Sequence, residues 1–261
     1  MITKNWSNLL LKQKFVGVPW TTKLTFYGIA ATLVLYVLVA LLAGAFVRIP
    51  SVAPPVSGDS MLAIRMGIYS LIAEGTFLAA PFYFAWRASK HSGGDQRTLW
   101  QLLGLRGFNI PLAVSLILVS FVAIILVNEA YQWLIIAFHL PLQVNSDLVL
   151  KQGKIVPITT YVTLAMAVLW APFCEELFFR SFAFMGFKND MSLFVAVIFS
   201  ALVFAAAHFD PASFPVLFVI GCALAIIRWK TNSVWPGMIL HLMNNGLSAA
   251  LVILSLHGIN F

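Results

Sequence analysis

The chain has 261 residues, 61% of them hydrophobic and 10% charged, with a mean hydropathy of +0.93. A soluble domain carries roughly 25% charged residues, so the composition excludes a soluble globular protein and predicts an all-α, polytopic transmembrane bundle. The net charge of +7 is spread over short loops, which points to topology and headgroup contact instead of nucleic acid.

In chain order, residues 1–23 form a basic segment. It carries Lys4, Lys12, Lys14 and Lys23 with Trp6, Trp20 and a Leu9-Leu10-Leu11 run, the pattern of an interfacial amphipathic helix. It does not read as a signal peptide, since the apolar run comes late and no small-residue cleavage site follows. Residues 24–138 hold three expected spans: Leu24 to Val47, Met61 to Trp86 with Arg65 and Glu74, and Pro111 to Phe138 with Asn128 and Glu129. Between the second and third, Leu99 to Gly107 reads as a short interfacial helix. The core, 157–256, holds four more: Pro157 to Phe187, Met191 to His208, a short Phe214 to Arg228, and Trp235 to Leu256. Asp210-Pro211 reads as a tight turn between the fifth and sixth.

Seven spans put the termini on opposite sides; splitting the long second or third span would make eight. With the N-terminus inside, twelve of the sixteen Lys and Arg face the cytoplasm, and only Arg48, Arg65, Lys151 and Lys154 face out. That bias predicts a cytoplasmic N-terminus. No targeting or retention tail is visible, so the expected location is a bacterial inner membrane. The two cysteines, Cys174 and Cys222, lie in apolar segments and form no disulfide framework.

Polar residues inside apolar spans carry the functional signal, because a charge at the bilayer centre costs at least ~2.5–3.5 kcal/mol and is kept for a purpose. Within Ala171 to Ser181, Glu176 and Arg180 are four apart, share a face and can pair. Glu175 is turned about 100° away and is free to face the bundle interior, where a carboxylate can take a proton from water. His208 ends an FAAAH stretch one turn after Phe204, with alanines leaving room for a ligand. His241 and Asn245 again share a face, and an amide there can orient the imidazole or donate to an oxyanion. Each of these features also has an ordinary structural reading as inter-helix hydrogen bonding or ion pairing. Glu74 and Glu129 remain outside the set; they can pair with Arg65, line a substrate path or shuttle protons. Cys174 stands beside two carboxylates, not the cationic group a thiolate nucleophile needs.

Glu-Glu-x-x-x-Arg (Glu175, Glu176, Arg180), Phe-x-x-x-His (Phe204, His208) and His-x-x-x-Asn (His241, Asn245) follow one another on successive helices. In this the chain resembles the CPBP family of intramembrane proteases, which takes in CAAX prenyl endopeptidases and bacteriocin-processing or self-immunity proteins. The resemblance covers roughly residues 157–250. It implies intramembrane endopeptidase activity on a membrane-tethered, prenylated or hydrophobic peptide. Glu175 and His208 would activate water, His241 and Asn245 would stabilise the oxyanion, and Glu176, Arg180 and Phe204 would support the site. It leaves the cofactor open, and metal-free catalysis by the glutamate is compatible with the residues. A three-ligand zinc site of Glu175, His208 and His241 is the alternative, although the His-Glu-x-x-His helix of common zinc proteases is missing. The expected partners are the bilayer and a membrane-tethered peptide or protein. Two other readings stay open at this point: a catalytically silent scaffold or self-immunity protein, and a proton-coupled transporter using Glu74, Glu129 and Glu175.

Overall fold

The structure is a computed structural model that describes residues 17–44, 47–48, 50, 52–91, 96–142 and 145–259. The described residues are helical and connected by short turns, without a strand. We number the helices α1 (Thr22–Gly44), α2 (Val56–Gly75), α3 (Ala79–His91), α4 (Gln96–Leu102), α5 (Ile110–Ala137), α6 (Asn145–Gly153), α7 (Pro157–Glu175), α8 (Phe184–Asp190), α9 (Leu193–Ala207), α10 (Phe214–Thr231) and α11 (Trp235–Leu256). A 3₁₀ turn (Thr76–Leu78) joins α2 to α3, and a π-helical segment (Glu176–Ala183) joins α7 to α8. Six stretches are long and apolar enough to cross a membrane, and α9 is a shorter apolar helix. The protein is thus a multi-pass integral membrane protein. The expected short sixth span is α10, with 18 residues; the shorter helix is the fifth, α9, with 15.

The continuous rod α7–π–α8 forms the axis of the bundle. Residues 174–187 are all buried, so this stretch is surrounded by protein on every side. Its rings, Phe178, Phe179, Phe182, Phe184 and Phe187, are fully enclosed. They meet Phe77 from the 3₁₀ turn, Phe84 from α3 and Phe204 from α9. Leu41 and Leu42 near the end of α1, in contrast, are 70% and 71% exposed, as a lipid-facing surface requires.

Polar contacts set the register of the rod. The Asp59 carboxylate of α2 accepts hydrogen bonds from Ile158 N (2.9 Å), Thr159 N (3.0 Å) and Thr159 Oγ1 (2.7 Å). It therefore caps the N-terminus of α7 from a neighbouring helix, satisfying donors that a helix start leaves open. Where α9 meets α10, a Cβ added to Gly221 would sit 2.8 Å from the Ala201 backbone, so only glycine allows this approach.

Two sequence expectations need correction. Trp20 is not interfacial: it is buried, and its indole N–H donates to the Phe182 carbonyl at 3.2 Å. Lys4, Trp6, Leu9-Leu10-Leu11, Lys12 and Lys14 of the expected amphipathic segment lie outside the described residues. The Leu99 to Gly107 stretch is only partly helical. It leaves α4 at Leu102 and turns at Gly104, whose φ of 71° suits glycine. It then braces the α10–α11 turn: Arg106 donates to the Asn232 carbonyl, and Ser233 donates to the Arg106 carbonyl. Leu102 and Leu103 are buried, so apolar contact with the core replaces contact with the interface.

Candidate active site

The site forms where the central rod changes from α to π winding. Pro172 lies one turn before Glu176; it lacks an N–H and its ring disturbs the preceding turn. Wider winding over Glu176–Ala183 follows, a feature that recurs at functional sites. Glu175 sits at the junction, 9% exposed, while Glu176 and Arg180 are completely buried.

Glu176 makes the expected pair with Arg180, Oε1 to Nη1, at 3.3 Å. The guanidinium also lies over the Phe204 ring, 4.3 Å from its centroid. Glu176 has a further partner that spacing along one helix did not reveal. Its Oε1 is 3.2 Å from Nδ1 of His241, which comes from α11. Its Oε2 faces Gly237 in the first turn of α11, where an added Cβ would sit 2.7 Å away. The helix N-terminus favours a carboxylate there. One buried anion thus ties the rod to α11 and holds the His241 ring.

Both histidines are oriented the same way. His208 caps the end of α9, and its Nδ1 lies 2.7 Å from the Phe204 carbonyl. A carbonyl only accepts, so Nδ1 carries the proton. Nε2 is left facing Glu175 Oε2 at 3.9 Å. In His241, Nδ1 faces the Glu176 carboxylate, and Nε2 faces the same Glu175 oxygen at 3.8 Å. Phe204 wedges between them, its ring centroid 4.7 Å from that of His208 and 5.7 Å from that of His241. Glu175, Glu176, Arg180, Phe204, His208 and His241 therefore form one cluster from three separate stretches of chain.

Asn245 makes its hydrogen bonds outside the cluster. Its amide donates to the Ala167 carbonyl of α7 at 2.9 Å, and its oxygen accepts from Asn244 at 3.3 Å. One of the two amide N–H donors is thereby used on structure. Cys174 is buried and free, Cys222 is half-buried and free, and Glu129 is exposed on α5.

A cavity of about 170 Å³ opens on the Glu175–His208 side. Its walls are Tyr36 of α1, Glu74 of α2, Phe77, Glu175, Phe179, Ala207, His208 and Phe209. Phe209 has φ 50°, unusual for an aromatic residue, and follows His208 directly. Asp210 holds the turn by accepting from Ala212 N (3.1 Å) and Ser213 N (3.2 Å). The volume admits several waters. Tyr36 in this wall carried no signal in the sequence, because it reads as one aromatic in a lipid-facing helix.

Among the described residues, no group of three His, Cys, Asp or Glu side chains is arranged to hold a metal ion. The candidate set Glu175, His208 and His241 does not meet that arrangement.

Residues 157–247 match the family model of the Rce1-like type II CAAX prenyl endopeptidases. Over these residues the chain is similar to that family. The match spans α7 to the middle of α11 and includes every residue of the cluster. No curated protein and no solved structure matches the chain. The likeness is to CAAX-type intramembrane proteases, and it falls within the helices of a multi-pass membrane protein.

Proposed function

We propose that the protein is an intramembrane endopeptidase that cleaves a membrane-tethered or hydrophobic peptide with water activated by Glu175 and His208. The observation that carries this reading is the placement of Glu175 Oε2, buried and without a hydrogen-bond partner, between two imidazole Nε2 atoms at the wall of a cavity that admits several waters.

Glu175 takes a proton from water while His208 Nε2, fixed by its Phe204 contact, orients the attacking oxygen. His241 faces the same point. To donate to an oxyanion from Nε2, its ring must carry both protons, and the Glu176 carboxylate beside Nδ1 offsets that charge. Asn245 contributes through its second amide N–H, with the first holding α7. Glu176, Arg180 and Phe204 position these groups. Catalysis by this set needs no cofactor, and chelators are expected to leave turnover unchanged.

The same reading places the chain in a bacterial inner membrane with its N-terminus in the cytoplasm. Arg180 and Arg228 are buried and leave the charge count, and the bias of ten inside to four outside persists. Reporter fusions at the two termini test that orientation. A quenched peptide library, including farnesylated C-terminal peptides, presented to the purified protein in detergent tests the activity. Cleavage by the parent and none by Glu175→Gln is the expected result. No cleavage of any peptide would favour the scaffold or self-immunity reading.

A further inference from the structure

Peptide hydrolysis needs a proton for the leaving amine as well as a base for the water. The motif residues supply one free carboxylate, Glu175. Glu176 is committed to Arg180 and His241, and His208 has its Nδ1 side committed to Phe204. Across the cavity stands a carboxyl group that no motif contains. Glu74 lines the same walls as Glu175 and His208, its Oε2 is buried, and that oxygen has no hydrogen-bond partner. A buried acid left unpartnered is costly unless it faces water or a reactant.

The local fold holds Glu74 firmly. It lies on the last turn of α2, directly before the 3₁₀ turn. Thr76 Oγ1 ties that turn by donating to the Ala73 carbonyl at 2.7 Å. Phe77, the next residue, is wedged against Phe178 and Phe179 of the rod. Arg65, a partner considered from the sequence, is nine residues back on the same helix, about 13 Å away along its axis. The groups around Glu74 are Tyr36 of α1, Tyr69 of its own helix, Cys174 and Glu175 of α7, and His208 after α9. None of them is a permanent cation that would commit Glu74 to an ion pair.

We propose that Glu74 is a second acid–base residue of this site and delivers the proton to the leaving amine. This rests on the hydrolytic reading above. Glu175 takes a proton as the water oxygen bonds to the carbonyl carbon and the π pair moves to the carbonyl oxygen. When the C–N bond breaks, its electron pair stays on nitrogen, which takes the proton of the Glu74 carboxyl, and the oxyanion pair re-forms C=O. The products are a carboxylic acid and an amine. Glu175 is left protonated and Glu74 ionised, and one proton passing through the cavity water restores both.

An ester leaving group separates this role from a structural one, because an alkoxide departs with far less need of a proton. The probes are a quenched peptide that the parent cleaves and its analogue with an ester at the scissile bond. Glu74→Gln is expected to slow amide cleavage on the order of 10²–10⁴-fold in kcat. Ester cleavage and KM should change little. Equal slowing of both substrates, or of neither, overturns the proposal. If Glu74→Gln does not accumulate folded, Glu74→Asp and Glu74→Asn give the same test: Asp must keep more amide cleavage than Asn, and equal rates overturn it. Glu175→Gln run in parallel should lose both substrates. Its retention of either would overturn water activation by Glu175 and leave the Glu74 ratio as a separate result.

Discussion

The first and third spans, α1 and α5, and the central rod are built from similarly apolar sequence but serve opposite ends. In the most apolar stretch of α1 and of α5, 17% of residues are buried, against 44% for Pro157–Asp190. The mean hydropathy of those stretches runs the other way, 2.4 and 3.0 against 1.5. The less apolar helix is the more buried one because, in a bilayer, lipid serves as well as protein for covering leucine. What must be buried in protein is the polar cargo: Glu175, Glu176, Arg180 and the histidines that meet them.

That contrast can be broken in graded steps. The largest effect is expected at the two groups proposed to activate water. Glu175→Gln and His208→Ala should each remove proteolysis by about 10²–10⁴-fold while leaving thermal stability in detergent near that of the parent. Stability of the purified variants checks the second half. Next comes Arg180→Ala, which strands Glu176 without its cation. A loss of roughly 3–5 kcal/mol is expected, visible as lower yield and melting temperature, with activity falling as a consequence. A variant as stable as the parent yet inactive would move Arg180 into the chemistry.

Gly237→Ala should act through Glu176. The added methyl meets Oε2, so Glu176 must shift and take His241 with it. A cost of about 1–3 kcal/mol is expected, together with a drop in turnover. Asp59→Ala uncaps α7 far from the site and should cost about 1–2 kcal/mol with kcat preserved. The smallest effect is expected on the lipid face. Leu41→Ala in α1 should stay within about 0.5 kcal/mol by thermal denaturation.

Much of this was legible in the chain. Trp235 to Leu256 is read from the sequence with the bounds the helix has, and Pro111 to Phe138 differs from α5 by one residue at each end. Length and apolarity decide such spans, and the bilayer allows little else. The Glu176–Arg180 pair was legible because four residues along one helix make neighbours. Contacts between helices were not. Nothing in local spacing tells that Glu176 also holds His241, that Asn245 bonds Ala167, or that Glu74 and Tyr36 wall the cavity. Those depend on how helices far apart in sequence are turned about their axes. Trp20 was misread for a related reason: a tryptophan beside lysine marks an interface by composition, but here the indole N–H has a carbonyl to meet inside the bundle.

The central claim is that Glu175 activates water in this site and that no thiol takes part. Single-turnover cleavage of an identified membrane-tethered peptide, by variants matched for thermal stability, tests it most directly. The account predicts cleavage by Glu175→Gln slowed about 10²–10⁴-fold and rates near the parent's for Cys174→Ser and Cys222→Ser. Cleavage at the parent's rate by Glu175→Gln, or none by Cys174→Ser, would contradict it.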